Sequence, residues 1–220
     1  MLNLLFPKVC SGCQTLLMPS ERVLCAQCRH QLPLACHHIS GSTAMKDIFY
    51  GRFHIEQATA LLYFQKKGVT QKLLHSLKYK GREEIGSFLG AWLGAELASA
   101  PSYKEVEMVL PVPLHKQRLR KRGYNQVEKF GRELAAALQV PYRDDILLKV
   151  SKSNSQVFKN RLMRSDRDSV FQLKDAATIA GMHLLLVDDI VTTGATIESC
   201  AQQLFTAPNI KLSVATMAMA

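Results

Sequence analysis

The distribution of apolar residues along the chain predicts strands that alternate with helices. Apolar runs without alternation are typical of strands buried on both faces of a parallel sheet, whereas apolar residues three and four positions apart form one face of a helix. The predicted strands cover residues 57–64, 108–112, 145–150, 170–173, 184–187 and 212–217. The predicted helices have their apolar faces within residues 69–77, 85–97, 127–138 and 195–205. Because strands and helices alternate after residue 100, we predict an α/β fold with a doubly wound parallel sheet.

Two pairs of cysteines distinguish the N-terminal part of the chain. Each pair has the spacing Cys-x-x-Cys, and eleven residues separate Cys10 and Cys13 from Cys25 and Cys28. Each turn brings two thiolates to one side, and four thiolates form the tetrahedral shell of a structural Zn²⁺. A segment of about 30 residues is too short for a sufficient core, so metal binding would supply its folding free energy. We predict a zinc site; disulfides and free thiols are the alternatives, and a reducing compartment disfavours disulfides.

These features divide the chain into three predicted parts. Residues 1–38 form a small zinc-binding module, residues 39–56 a connector, and residues 57–220 the α/β domain. The run Cys36-His37-His38 is a further candidate source of metal ligands, although four sulfurs already complete a structural site. Cys200 falls on the apolar face of the last predicted helix, where we expect a small core residue.

The composition is typical of a globular protein, and the charge indicates an anionic partner. Of the 220 residues, 47% are hydrophobic and 21% charged. No apolar run approaches the roughly 20 residues that span a bilayer, and the apolar residues 1–6 lack the basic leader of a signal peptide. We therefore expect a cytoplasmic protein without membrane insertion. The formal net charge of +10 suits a polyanionic ligand or a nucleic acid, and a generically basic surface is the alternative.

The basic residues concentrate in three stretches. The first contains Lys116, Arg118, Arg120, Lys121 and Arg122. The second contains Lys149, Lys152, Lys159, Arg161, Arg164 and Arg167, and the third contains Lys66, Lys67, Lys72, Lys78, Lys80 and Arg82. The first two stretches lie in predicted loops beside the sheet, where they can meet a ligand.

The most informative segment connects an apolar strand to a helix through acidic, hydroxyl and glycine residues. Residues 184–187 are apolar, Asp188 and Asp189 follow, and residues 192–196 (Thr-Thr-Gly-Ala-Thr) lead into the last helix. A helix N-terminus directs backbone N–H groups at an anion, and α/β sheets bind ligands at the carboxyl ends of their strands. Two acids beside a phosphate cradle suit a phosphorylated sugar, whose ribose hydroxyls or Mg²⁺ ion they would bind. The alternative is an ordinary capped helix start, since Asp and Thr are also favoured there.

Residues 184–196 resemble the phosphoribosyl-pyrophosphate (PRPP) binding signature of type I phosphoribosyltransferases. Before this segment come the two Cys-x-x-Cys pairs, residues 77–82 (Leu-Lys-Tyr-Lys-Gly-Arg), and residues 111–113 (Pro-Val-Pro) with residues 122–126 (Arg-Gly-Tyr-Asn-Gln). In this order, and over nearly the whole chain, the sequence resembles the ComF family of competence-associated proteins. These proteins join an N-terminal zinc module to a phosphoribosyltransferase domain. The resemblance implies an association with DNA uptake and natural transformation, and partners in the competence machinery.

The resemblance also implies a role for each part of the site. Asp188 and Asp189 match the acidic pair that contacts the ribose hydroxyls of PRPP, and they are the candidate catalytic residues. The loop that wraps the 5′-phosphate corresponds to Thr192, Thr193, Gly194, Ala195 and Thr196. The pyrophosphate loop corresponds to the backbone of Val112, Pro113 and Leu114, with Arg122 as a cation for the diphosphate.

Two positions depart from the family patterns. Purine-salvage phosphoribosyltransferases often have an acid, which serves as base toward the incoming ring, at the position of Thr192. Many ComF relatives carry an Arg-x-x-Asn pattern before the next strand, whereas residues 161–166 (Arg-Leu-Met-Arg-Ser-Asp) keep the arginines without the asparagine. These departures concern the acceptor and the full catalytic apparatus, not the PRPP site.

Three functions are compatible with these features. The first is a transferase that displaces pyrophosphate from PRPP with a nitrogen nucleophile, while Mg²⁺ and basic residues stabilise the departing diphosphate. The second is a protein that senses PRPP or a nucleotide without turnover. The third is a competence factor that binds single-stranded DNA through the zinc module and basic loops, although few aromatic residues interleave with the basic ones. The motif order favours the first.

Overall fold

A computed structural model of the protein describes residues 7–150 and 170–220. The strands are β1 (Ala58–Tyr63), β2 (Met108–Pro111), β3 (Leu147–Lys149), β4 (Phe171–Leu173), β5 (His183–Val191) and β6 (Lys211–Met219). The helices are α1 (Ala26–His30), α2 (His37–Ser40), α3 (Ala44–Asp47), α4 (Val69–Tyr79), α5 (Glu84–Ser99), α6 (Lys116–Arg122), α7 (Glu128–Leu138) and α8 (Ala195–Leu204). Four strands form a parallel sheet in the order β1-β6-β5-β2, which confirms the predicted α/β fold.

Helices cover both faces of this sheet. Leu185 and Val187 of β5 belong to the buried cluster that includes residues of α4, α5 and α7, whereas Leu184 and Leu186 belong to the opposite cluster with α8. Successive residues of a strand point to opposite faces, so a strand covered on both sides needs apolar residues at every position. This requirement explains the unbroken apolar run before the acidic pair.

Helices α5 and α7 approach each other closely through a row of glycines. Gly86, Gly90 and Gly94 recur every fourth residue of α5 on the side that faces α7. A Cβ atom at Gly90 would lie 2.7 Å from the carbonyl oxygen of Phe130, so any larger residue would push the helices apart. Together, α5 and α7 pack on one face of β5.

Two predicted strands do not join the main sheet. Strands β3 and β4 pair with each other in antiparallel orientation, with Leu147 opposite Leu173. The free edge of β2 is instead covered by residues 141–143, because the Val109 N–H donates to Pro141 O at 2.9 Å and the Arg143 N–H donates to Val109 O at 3.0 Å. The predicted parallel arrangement therefore holds for four strands and is wrong for these two.

Strand β5 extends four residues beyond its predicted end. Asp188 pairs with Thr216 and Ile190 with Ala218 in the ladder between β5 and β6. The long partner strand and two β-branched residues, Ile190 and Val191, favour this extension. The acidic pair thus lies inside the last part of the strand rather than after it.

The N-terminal part of the chain packs directly against the sheet and α4. Leu34 forms a bridge to Leu62 of β1, and Cys10 lies in the buried cluster that α4 shares. The predicted connector contains α3 and contributes the fully buried Met45 and Phe49 to the cluster on the other face. The segment predicted as a connector thus supplies part of the core.

Several predictions concern residues 1–6 and 151–169, which lie outside the described residues. They are the apolar N-terminal segment, the arginines of residues 161–166, and most of the second basic stretch: Lys152, Lys159, Arg161, Arg164 and Arg167. Within the described ranges, no helix combines the length and apolar character needed to cross a membrane.

Candidate functional site

The acidic pair lies in a buried position near the carboxyl end of β5. Asp188 and Asp189 expose only 8% and 4% of their surface. Burial, together with the neighbouring Asp189 carboxylate, raises the pKa of Asp188 from 3.8 to about 8, although the Asp189 N–H donates to Asp188 Oδ1 at 2.8 Å. Such a shift is characteristic of functional sites, because burying two carboxyl groups without a ligand gains no stability.

Residues of both α4 and α8 influence the acidic pair. Lys78, at the end of α4, places its Nζ 2.9 Å from Asp189 Oδ1, and its side chain is mostly buried. On the other side, burial and the Asp188 carboxyl raise the pKa of the fully buried Cys200 in α8. Cys200 is therefore a core residue, as predicted. Sequence analysis included Lys78 among the basic residues but did not connect it to the acids.

The loop after β5 exposes its hydroxyl groups at the N-terminus of α8. Thr192, Thr193 and Thr196 are exposed, whereas Gly194 is buried and adopts φ +76° as the N-cap residue. The first N–H groups of a helix have no intrahelical partner, so the start of α8 offers donors to an anion. No side chain caps this helix, in contrast to the alternative of an ordinary capped start. The described geometry suits the predicted phosphate loop.

Residues of the predicted connector pack against this loop and donate a hydrogen bond to it. A Cβ atom at Gly194 would lie 2.8 Å from both Ile48 Cγ2 and Phe49 Cε1, so close packing as well as the positive φ requires glycine. Arg52 donates from Nη1 to Thr193 O at 2.7 Å and lies 3.3 Å from Glu198 Oε2. Sequence reasoning missed these contacts, because no motif links residues about 140 positions apart in the chain.

The loop after β2 offers fewer backbone donors than its sequence predicts. The Val112 N–H donates to Val187 O at 2.9 Å, and Pro113 has no N–H. Of the three predicted pyrophosphate-loop residues, only Leu114 has an N–H group that no described residue accepts.

The segment after α6 holds this loop and the end of α4 in place. Asn125 donates from Nδ2 to Val112 O at 3.2 Å and accepts from the Val127 N–H at 3.3 Å. The Tyr124 hydroxyl donates to the Leu77 carbonyl oxygen. These three hydrogen bonds give the Tyr-Asn part of the motif a positioning role that local sequence signals do not reveal.

Arg122 lies at the same junction. Its guanidinium donates to Gln126 and lies 5.7 Å from the centre of the Tyr79 ring. Arg118, Arg120 and Lys121 of α6 are exposed. The role of Arg122 toward a diphosphate remains a prediction, since the described contacts are with protein groups.

The four predicted zinc ligands form one cluster. The Sγ atoms of Cys10, Cys13, Cys25 and Cys28 all lie within 4.8 Å of one another, and those of Cys13 and Cys25 are 3.6 Å apart. Ideal tetrahedral coordination with Zn–S bonds of about 2.3 Å would separate the sulfurs by about 3.8 Å. The donor set and its size therefore fit Zn²⁺.

At two of the four cysteines, Cys13 and Cys10, the surroundings favour the thiolate, which is the form that binds metal. The Thr15 hydroxyl and backbone N–H lower the pKa of the exposed Cys13 to about 6. Burial opposes ionisation of Cys10, but N–H groups that include those of Cys25 and Gly12 outweigh it and lower the pKa. Conversely, burial and the neighbouring thiols raise the pKa of Cys28.

The histidines that follow Cys36 have protein partners. His37 accepts from the Ala60 N–H through Nδ1, and His38 lies between the Thr59 hydroxyl at 2.9 Å and Glu96 Oε2 at 3.0 Å. Burial lowers the pKa of both imidazoles. Within the described residues, the metal-sized cluster contains only the four cysteines of the two pairs.

A large cleft of about 1420 Å³ lies apart from the acidic pair, between α5 and the N-terminal part. The Arg29 guanidinium lies 4.9 Å from the centre of the Trp92 ring within it. Its charged lining residues are Lys8, Arg22, Arg29, Arg82, Glu84, Glu96 and Glu133. Because four basic and three acidic residues line it together, the cleft does not have the character of a polyanion-binding groove.

Comparison with known proteins identifies the domain. The profile of the family described as phosphoribosyl transferase domain matches residues 128–217, which include the acidic pair and the loop after it. Adenine phosphoribosyltransferase from Saccharomyces cerevisiae has a similar solved structure, with 19% identity, a TM-score of 0.39, and coverage of 64% of this chain and 69% of that chain. The match and the parallel sheet define a type I phosphoribosyltransferase domain.

Several curated proteins are similar beyond this domain. DNA utilization protein YhgH of Escherichia coli O157:H7 is 31% identical over 136 residues, or 60% of this chain and 59% of that protein. Competence protein ComFC of Bacillus subtilis (strain 168) is 28% identical over 201 residues, or 85% of this chain and 79% of that protein. Competence protein ComFC of Streptococcus pneumoniae is 36% identical over 120 residues, or 54% and 50%.

These relatives, the domain and the four-cysteine cluster confirm the family resemblance found in the sequence. The chain is similar to proteins named competence protein ComFC and DNA utilization protein YhgH, and it contains a phosphoribosyltransferase domain and a four-cysteine cluster. The match spans less than two thirds of the YhgH protein.

Proposed function

We propose that this protein binds PRPP together with Mg²⁺ and transfers the phosphoribosyl group to a nitrogen acceptor. The observation that carries the proposal is that the acidic pair, the threonine hydroxyls and the start of α8 follow one another closely in the chain. The buried pair Asp188 and Asp189 leads within a few residues to exposed threonine hydroxyls and the uncapped N-terminus of α8. Carboxyl groups suit the ribose hydroxyls, and the helix start suits the 5′-phosphate.

The proposed reaction exchanges one bond at C1 of the ribose for another. The lone pair of the acceptor nitrogen forms the N–C1 bond, while the C1–O bond breaks and its electron pair leaves with pyrophosphate. The acceptor nitrogen then loses its proton to water. Mg²⁺, when bound with PRPP, supplies charge that stabilises the leaving diphosphate. The protein contributes positioning and a preorganised electrostatic environment, with Arg122 and the Leu114 N–H beside the diphosphate.

We also propose that the four cysteines hold one structural Zn²⁺. The support is the size and chemistry of the cluster, since four sulfurs within 4.8 Å of one another match a tetrahedral site. Gly12 allows this closeness, because a Cβ atom there would lie 2.9 Å from Cys28 Sγ. Zinc would thereby stabilise the part of the chain that packs on α4.

The biological setting that we propose is the handling of DNA taken up during natural transformation. Relatives are named competence protein and DNA utilization protein, and the net charge of +10 suits a polyanionic partner. Direct binding of single-stranded DNA is a second candidate function. It is favoured by α6, in which Arg118, Arg120 and Lys121 are all exposed. Proteins of the competence machinery would be further partners.

Isothermal titration with PRPP–Mg²⁺ tests the proposal. We expect binding by the wild type, no binding by the double variant Asp188→Asn with Asp189→Asn, and a loss of about 1–3 kcal/mol for Thr193→Val, which removes a hydroxyl partner of the phosphate. Thr206→Val is the matched control, because Thr206 is exposed at the opposite end of α8. Wild-type affinity in the double variant contradicts the assignment.

Pyrophosphate release, measured across candidate nitrogen acceptors, then separates turnover from sensing. Release that depends on an acceptor supports a transferase. Binding of PRPP without release with any acceptor supports the sensing function. The exposed Thr192, where purine-salvage enzymes often have an acid, makes this comparison necessary.

A further inference from the structure

Lys78 is the cation nearest to the acidic pair among the described ion pairs, and it comes from outside the matched domain of residues 128–217. Its Nζ lies 2.9 Å from Asp189 Oδ1, and the two side chains are 24% and 6% exposed. We propose that Lys78 is a positioning residue of the phosphoribosyl site, which neutralises and orients Asp189 so that the pair accepts a polyanionic sugar phosphate. This inference rests on the proposed function.

The electrostatic reason lies in the charge of the ligand. PRPP carries a phosphate and a diphosphate, and two ionised carboxyl groups beside its ribose would repel both. Burial raises the pKa of Asp188 to about 8, so that this carboxyl group is largely neutral at pH 7. The Lys78 ammonium compensates the charge of Asp189. The site can then offer hydrogen-bond acceptors to the ribose hydroxyls with little net negative charge.

The position of Lys78 is fixed by contacts along the whole of α4. At the start of the helix, a Cβ atom at Gly12 would lie 3.2 Å from Val69 Cγ1, and Lys72 donates from Nζ to Gly12 O at 3.0 Å. At the other end, the Tyr124 hydroxyl donates to Leu77 O, one residue before Lys78. The helix is therefore held between the cysteine turn and the motif after α6. This anchoring distinguishes Lys78 from a mobile surface lysine.

A second lysine at the same end of α4 serves as a control for Lys78. Lys80, two residues later, is exposed and forms the C-cap of α4. Both residues have the same side chain and belong to the same basic stretch. Only Lys78 contacts the acidic pair in the described structure. Lys80→Met is therefore a matched control for Lys78→Met.

The test measures PRPP–Mg²⁺ affinity by isothermal titration in these variants. We expect Lys78→Met to weaken binding at least about tenfold, since a charged hydrogen-bond partner is lost from a buried group. We expect Lys78→Arg to keep affinity within about threefold and Lys80→Met to match the wild type. Near-wild-type affinity in Lys78→Met overturns the inference. A wild type that fails to bind PRPP–Mg²⁺ overturns the proposed function, and this inference with it.

A double-mutant comparison identifies the route by which Lys78 acts. In the Asp189→Asn background no carboxylate remains to be compensated, so Lys78→Met should weaken binding by less than about threefold. A tenfold loss in both backgrounds overturns the assignment, because Lys78 would then act independently of Asp189. The double variant has no unpaired charge in this pair, so it provides the measurement even if Lys78→Met alone does not fold.

Discussion

The substitution Asp188→Asn should stabilise the folded protein, and the gain should grow as the pH rises from 6 to 8. Asp188 is 8% exposed, and burial with the neighbouring Asp189 raises its pKa from 3.8 to about 8. The folded protein therefore keeps a proton that the unfolded chain has already lost. Because the folded pKa is the higher one, stability falls as the pH rises above 3.8 and stops falling beyond about 8.

The size of the effect follows from the width of this pH window. The free energy of unfolding changes by about 1.4 kcal/mol per pH unit while the folded state alone binds the proton, and the slope declines near the folded pKa. From pH 6 to pH 8 the wild type should thus lose about 2 kcal/mol relative to Asp188→Asn. In a chain of this size, that difference corresponds to a relative change in Tm of about 4–8 °C.

Thermal unfolding followed by circular dichroism at pH 6, 7 and 8, with equal zinc in all samples, measures this difference. Asp175→Asn is the control, because Asp175 is exposed and its hydrogen bond with Thr178 lowers its pKa, so that it stays ionised throughout the range. The expected result is a Tm difference that widens with pH for Asp188→Asn alone. A constant difference would refute the reasoning, because Asp188 would then be ionised in the folded protein.

Three further predictions concern the cysteine cluster, the phosphate loop and the basic helix. Elemental analysis should give about one zinc per chain, and a variant with Cys10→Ser and Cys25→Ser should lose it; full zinc retention would contradict the assignment. Gly194→Val should lower both Tm and PRPP affinity, because its Cβ would lie 2.8 Å from Phe49 Cε1, and an unchanged Tm would exclude this packing. Binding of single-stranded DNA should weaken as salt rises, and exchanging the exposed basic residues of α6 for glutamine should flatten that dependence. If the salt dependence does not change, Arg118, Arg120 and Lys121 face solvent and do not contact the DNA.

The sequence was sufficient where one short segment carries both the pattern and its chemistry. Residues 184–187 had to be apolar at every position because β5 is covered on both faces, so the strand was visible without a structure. The same is true of the cysteine pairs, since a Cys-x-x-Cys turn brings two sulfurs together through local geometry alone. The acidic pair and the loop before α8 lie within nine consecutive residues, and their order resembles a PRPP-binding signature; binding of PRPP there stays a prediction.

The tertiary structure decided which separate segments meet. The sequence could not pair Lys78 with Asp189, because they lie 111 positions apart and the helix that carries the lysine must first pack on the sheet. Likewise, Phe49 and Arg52 of the predicted connector contact the loop at Thr193 and Gly194 only after the chain folds over α8. Such contacts leave no periodic or spacing signal, since any local sequence that reaches the position can make them.

The loop after β2 illustrates the same limit at the level of single atoms. The sequence indicated the position of the loop, but the partners of its backbone N–H groups depend on the register between β2 and β5. In that register the Val112 N–H is taken up by Val187 O. Sequence by itself therefore indicated the six strands, the four longest helices (α4, α5, α7 and α8) and the chemical groups of this protein, but not the short helices α1, α2, α3 and α6. Folding decided which of those groups remain available to a ligand, because availability depends on contacts between segments distant in the chain.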